Sequence, residues 1–346
     1  VTAAPAGAPR IAYFITSYQS PEQLSRLLRT LRAAQPTAEL VVHHDVFAGP
    51  IDPGTVAEVG GHLHTSPHPI VWGDMSLDRS RWRVMRWALE NLEFDWLVLL
   101  SEQDYPIARL DRFAERLRRS GVDAVLDAVP ITELPDAEAR LDCHRRYDYQ
   151  YVPLPAWHLT RAWPPRLRGA VRRARDLLYG AIARSQGLVH VFKLPDALGL
   201  PNRVGLRAGS RSPFTAAFPC WWSSAWYALS RRGVARLLEL VEADPGLMAY
   251  YERTIIPLES VVATLLCNAP DVPVERASLH AIRWSAVETG RPDLLADGDA
   301  AQLLGSGLFF ARKFDPRATA LLDELDRHVL RDADGPALSP AEPAGG

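Results

Sequence analysis

Four groups of side chains have types and spacing that suit chemistry. In "IIPLESVVATLLC" Glu259 follows Pro257 at the start of an apolar helical stretch. A carboxylate fixed there can act as a general base, or can simply complement the helix dipole. In "LFFARKFDP" Arg312 and Lys313 sit among aromatics, where two cations can clamp a phosphate or lie over apolar surface on an exposed strand. The stretch "DWLVLLSEQDYPI" turns from a buried-strand pattern to Ser101, Glu102, Gln103 and Asp104 within one residue step. Trp221, Trp222 and Trp226 offer flat faces for a sugar ring, although core packing uses the same residues.

Several chemistries lack their signatures. No GxGxxG follows the first strand pattern and no GxxxxGK[ST] occurs, which disfavours dehydrogenases and P-loop enzymes. GxSxG is missing too. The Asp-x-Asp pairs are Asp297-Gly298-Asp299, which reads as a cap before "AAQLL", and Asp332-Ala333-Asp334 in a polar tail. His43 and His44 are neighbours in a strand pattern, so they point to opposite faces and would not share one metal. No metal site is expected.

The elements that must position these groups alternate. "RIAYFITSY" reads as a strand, and "SPEQLSRLLRTLRAA" as a helix with Ser20 as cap and Leu24, Leu27, Leu28 and Leu31 on one face. Strands "AELVVHHD", "DWLVLL" and "VDAVLDAV" follow, with helices from about Ser80 to Asn91 and over "LDRFAERLRRSG". Such alternation predicts an α/β fold, a mostly parallel sheet with helices on both faces. Ligands of such sheets lie beyond the carboxyl ends of the strands. Thr16-Ser17-Tyr18, His43-His44-Asp45 and Ser101 to Asp104 all fall there. Regular patterning fades over 134–215, which includes a basic stretch at 161–184 that reads as a helix, and returns with "AWYALSRRGVARLLELVEAD".

Bulk properties set the frame. The chain has 346 residues, 47% hydrophobic, ample for a large core, and its net charge of -2 gives no reason to expect nucleic acid as a partner. Three cysteines without metal spacing suggest a reduced compartment. No apolar run reaches the roughly 18 residues of a membrane span. A cytoplasmic protein is the expectation, with flexible residues 1–10 and a disordered tail at 331–346.

The motifs resemble one family. "LLSEQDYPI" is similar to the "LSGQDYPI" block of the core-2/I-branching β-1,6-N-acetylglucosaminyltransferases and peptide O-xylosyltransferases. The order of the other blocks, "VVHHD", "VWGDMSL", "WWSSAWYALSRRGV", "IPLESVVATLL", "LHAIRWS" and "FFARKFD", agrees with that of the family, over about residues 11 to 316. The resemblance, here to a bacterial member, implies a GT-A fold, a Rossmann-like mixed sheet flanked by helices. It also implies an inverting, metal-independent transfer of GlcNAc or xylose from a UDP-sugar to an acceptor hydroxyl. Glu259 matches the base, Asp45 the uridine contact and Lys313 the diphosphate lysine. His280 stands where the family has a diphosphate arginine, with Arg283 three residues on, so either protonated His280 does the job, or Arg283 substitutes, or the leaving group is held less tightly. Leu258 replaces the acid of the family's "PDE". The donor-side set is completed by Thr16, Ser76, Asp104 and Arg312. On the acceptor side are Glu102, Glu133, Arg146, Trp222 and Trp226.

One catalytic domain is expected over 11–330, with a nucleotide half at 11–133, an acceptor-side region at 134–215 and a catalytic half at 216–330. The expected partners are a UDP-sugar and an acceptor, with no other cofactor. The alternatives are a non-catalytic glycan- or sugar-nucleotide-binding protein and a nucleotide-sugar hydrolase.

Overall fold

A computed structural model describes residues 7–154, 187–193, 202–284 and 292–330, with scattered positions between 164 and 180. The basic helix expected at 161–184 falls largely outside these residues, and the tail at 331–346 wholly so. The chain is α/β and gathers into two compact units, one from residues 1–66, 93–121 and 278–346, the other from 67–92 and 122–277.

In the first unit four strands run parallel. β1 (Ile11–Ser17) lies between β2 (Glu39–His44) and β4 (Trp96–Ser101), and β3 (His62–Thr65) pairs with β2. β1 and β4 are buried on both faces, which is why they read as continuous apolar runs instead of alternating. The helix Pro21–Ala34 buries Leu24, Leu27, Leu28 and Leu31, each worth about 1.5–3 kcal/mol of apolar transfer. Ser20 occupies the cap position but its hydroxyl makes no capping bond, contrary to expectation; Pro21 begins the helix without that help.

A second small sheet of this unit places β15 (Phe310–Arg312) between β14 (His280–Ile282), parallel to it, and β5 (Tyr105–Pro106), antiparallel. Phe310 and Ala311 are wholly buried, so this is no surface strand. The helix Thr319–Val329 presents Asp326, whose carboxylate accepts from Arg26, Thr30 and Tyr105.

The second unit is a mixed assembly. β6 (Ala124–Leu126) is parallel to β13 (Val274–Arg276) and antiparallel to β12 (Tyr227–Ser230). The expected strand "VDAVLDAV" breaks in two, and its second part, β7 (Val129–Pro130), pairs with β11 (Trp221–Trp222). The helix expected from Ser80 begins at Ser76 and runs to Asn91. Regular structure also occurs where the sequence pattern fades. The helix Ala137–Tyr147 is followed by an antiparallel sheet of β8 (Tyr149–Pro153), β10 (Arg203–Arg207) and β9 (Val189–Phe192). Gly205 is required in β10, because a Cβ there would come within 2.6 Å of the Tyr151 ring.

Candidate active site

In the first unit the parallel register sets the three polar strand ends side by side. Thr16 pairs with both His43 and Ser101, and Ser17 with His44. The Thr16 hydroxyl donates to the Leu100 carbonyl at 3.3 Å. Asp45 is buried and accepts from the Phe47 N–H at 3.1 Å. The two histidines point apart as expected. His44 donates through Nε2 to the Gly49 carbonyl, which can only accept, so its Nδ1 takes the Ser17 hydroxyl at 2.7 Å. His43 meets Ser66. Among the described residues no group of three or more His, Cys, Asp or Glu could hold a metal ion.

Asp104, Arg312 and His280 come together. Asp104 is fully buried; Oδ2 accepts from the Ser101 N–H at 2.5 Å and Oδ1 lies 3.1 Å from Arg312 Nε. Burial pushes its carboxyl above the ordinary range, while Arg312, the Ser101 bonds and Lys313 pull it down. His280 Nε2 is 3.9 Å from Asp104 Oδ2, too long for a hydrogen bond, and its ring stacks on Phe310. Burial first, and Arg312 second, hold its pKa well below the usual value. Burial therefore disfavours a protonated His280, one of the two candidate replacements for the family arginine. The other, Arg283, is held by Asp299 at 2.6 Å and Asp293 at 3.3 Å. Asp299 thus serves an arginine instead of capping its helix, and Asp297 accepts from the Leu321 N–H. Lys313 is half-buried.

Glu102 departs from its expected acceptor-binding role. It is buried, and its two oxygens accept from the N–H groups of Tyr18 and Gln19, each at 3.1 Å. Its work is to fix the turn after β1.

In the second unit Glu259 is the centre. It does not lie inside the apolar helix. Pro257–Glu259 forms a 3-10 turn, Ser260 is the boundary residue, and the helix is Val261–Cys267. Glu259 Oε2 accepts from Arg146 at 2.7 Å and from the Trp222 indole at 3.2 Å. Among the described residues no hydrogen bond reaches Oε1, and the side chain stays 29% exposed. Arg146 also pairs with Asp142 one helical turn before it; burial opposes its charge, but the Glu259 carboxylate more than offsets that. Asp142 was missed in the sequence, although its i,i+4 spacing to Arg146 was there to be read.

A buried hydroxyl network positions the carboxylate. Ser260 meets Tyr251, Thr264 and Cys220, and Thr264 accepts from the Trp221 N–H at 3.0 Å, so β11 and the turn carrying Glu259 are tied together. Ile256, three residues before Glu259, has φ 53°, and Ala225, beyond Trp222, has φ 68°. A β-branched residue in the left-handed region is costly, and such strain gathers at functional sites. Asp127, which accepts from the Ser224 N–H, has its pKa raised by burial and, less strongly, by the Glu259 charge.

The remaining candidates of this unit stand apart. Ser76 closes the "VWGDMSL" loop by accepting from the Val71 N–H at 2.8 Å. Glu133 is exposed in a short 3-10 turn. Trp226 is buried with Arg81 over its ring, which makes it a packing residue and no sugar platform. Leu258 packs on the cluster of Tyr149, Tyr151, Ile255 and Ile256. The thiols of Cys143, Cys220 and Cys267 are pushed up to about 12 by burial, so none is a nucleophile.

Residues 11–142 match the sequence model of the Core-2/I-Branching enzyme family. The Core-2/I-Branching match includes Thr16, Asp45, Ser76, Glu102, Asp104 and Glu133, and stops short of Glu259, Arg312 and Lys313. A beta-glucuronosyltransferase of Arabidopsis thaliana, GlcAT14A, is 30% identical over 128 residues, or 36% of this chain. The chain spans 28% of the length of that relative. Two solved structures are distantly similar. A197 from STIV has 19% identity, a TM-score of 0.22, and coverage of 35% of this chain and 47% of that one. The 4-diphosphocytidyl-2C-methyl-D-erythritol synthase of Anaerococcus prevotii has 11% identity, a TM-score of 0.30, and coverage of 69% and 78%. Likeness this slight carries no argument.

Proposed function

We propose that this chain is a glycosyltransferase of the Core-2/I-Branching type with a GT-A fold. In this reading it moves a sugar from a UDP-sugar to an acceptor hydroxyl, inverts the anomeric carbon and needs no divalent metal. The observation that carries the proposal is the Glu259 carboxylate, with Oε2 fixed by Arg146 and Trp222 and Oε1 left for a substrate proton. In a single displacement Oε1 takes the proton of the acceptor hydroxyl as its oxygen bonds to the anomeric carbon. The bond from that carbon to the diphosphate breaks with its electron pair, and cations aimed at the departing charge lower the barrier. Lys313 and Arg312 are the cations assigned to that task.

A donor screen by UDP release tests the reading, with UDP-GlcNAc and UDP-xylose from the family resemblance and UDP-glucuronate from the Arabidopsis relative. Glu259→Gln keeps the hydrogen bonds to Arg146 and Trp222 within reach but cannot accept a proton. It is expected to lose about 10²- to 10⁴-fold in transfer while retaining UDP binding and its melting temperature. A rate within a few-fold of the parent would remove Glu259 from the mechanism.

A second reading has one observation in its favour. Burial disfavours the charged form of His280 and Arg283 is held by two aspartates, so the diphosphate would be met by fewer cations than the family supplies. A sugar-nucleotide-binding protein or slow hydrolase would then bind UDP-sugars, with no acceptor-dependent UDP release.

A further inference from the structure

The second unit contains a cavity of about 680 Å³ that none of the roles above uses. Its wall is formed by the end of the helix Ala137–Tyr147, the start of β8, and strands β9 and β10. Lys193 lines it as well, and among the described lining residues Arg145 and Arg207 face one carboxylate, Asp148. Asp148 is already engaged, because its Oδ2 lies 2.9 Å from His144 Nδ1 and raises the basicity of that ring. Among the described lining residues positive charge is therefore in surplus. Among the described residues neither Arg145 nor Arg207 has an ion-pair partner.

The opposite character is supplied by Tyr149 and His190, whose rings lie 5.7 Å apart. The Tyr149 hydroxyl is anchored on the Gly187 carbonyl. The protonation of His190 follows from its neighbours. Tyr151 has one hydroxyl proton, and it goes to the Arg145 carbonyl at 2.6 Å. The contact of 2.8 Å between that hydroxyl and His190 Nδ1 therefore requires Nδ1 to donate. Nε2 is left as a bare acceptor, and burial together with the Arg145 charge keeps the ring neutral. A wall with two unpaired guanidinium groups, aromatic edges and a hydroxyl acceptor suits a ligand that is anionic, partly apolar and hydroxylated.

We infer that this cavity binds a saccharide carrying a carboxylate or a sulfate, with the anion on Arg145 and Arg207 and a sugar hydroxyl on His190 Nε2. That the ligand is a sugar rests on the glycosyl-transfer reading; that it is anionic rests on the cavity alone. Calorimetric titration of the full chain tests it, with a uronate-containing disaccharide, a sulfated disaccharide and their uncharged parent. Binding is read directly, so the result is independent of whether UDP is released.

One or both acidic ligands are expected to bind about tenfold tighter than the parent, the scale of one charge-assisted hydrogen bond. The tighter of the two identifies the acid group. Arg145→Gln with Arg207→Gln should remove that preference at an unchanged melting temperature; both side chains are exposed, and Arg207→Gln alone should reduce it. Equal affinity for charged and uncharged sugars, or a preference that survives the double variant, would overturn the inference. Inorganic phosphate binding as tightly as the acidic disaccharide would overturn the sugar assignment.

Discussion

At the scale of single residues, burial decides which charges are available for chemistry. Asp104 and Arg312 are a pair whose side chains are 0% and 14% exposed, so each depends on the other. Removing one partner of such a pair strands the other in a weakly polar interior. Arg312→Ala should therefore destabilise the fold by about 3–5 kcal/mol, measured by urea unfolding. A loss under about 1 kcal/mol would mean that Asp104 finds water or another cation, as exposed pairs do. The sequence located Asp104 as a candidate because polar residues ended an apolar run, and Arg312 because two cations stood among aromatics. It misjudged Glu102, since a carboxylate that accepts from two backbone N–H groups has the same letter as one awaiting a substrate. Trp226 was misjudged for the same reason: its stripe pattern suits a platform and a core equally, and only the Arg81 contact distinguishes them.

At the scale of elements, the parallel strands were legible because a sheet covered on both faces leaves long apolar runs. The antiparallel strands around β10 were not, since each is short and half-exposed and Gly205 interrupts the pattern. Glu259 was read at the start of the helix, whereas it lies in a 3-10 turn two residues before the first helical residue, Val261. Ser260 is the boundary residue, and its hydroxyl is drawn into the network with Tyr251 and Thr264, a tertiary effect that no local pattern records. The helix Ser76–Asn91 contributes a pH effect of its own. Asp78, in its first turn, is fully buried, and desolvation, opposed in part by Arg81 and aided by Asp74, pushes its pKa up to about 7. Between about pH 4 and 7 the native carboxyl keeps a proton that the unfolded chain has lost. The stability this group lends is thus complete below about pH 4 and is lost as pH rises through 7. Asp78→Asn should remove that component, so the unfolding midpoint of the variant should fall less between pH 5 and 8. Parallel pH profiles for the two proteins would show that Asp78 is ionised throughout.

At the scale of the whole molecule, the proposed absence of a metal requirement is the property most easily checked. Turnover should survive an excess of EDTA, because side-chain cations take the role of a divalent ion in this reading. Loss of activity in EDTA with recovery on adding manganese would return attention to the aspartates at 293, 297 and 299. A different consequence follows from how the chain is distributed between its two units. The first unit draws on residues 1–66, 93–121 and 278–346. Tyr13, in its first strand, meets Phe310 edge-on at 6.3 Å. Residues 122–277 separate β1 from Phe310 along the chain, so this part of the cover of β1 can form only after all of them have been synthesised. Until then β1 has its sheet partners β2 and β4 but lacks the aromatic contact with Phe310. A premature stop between residues 122 and 277 would release a chain in which Tyr13 never meets Phe310.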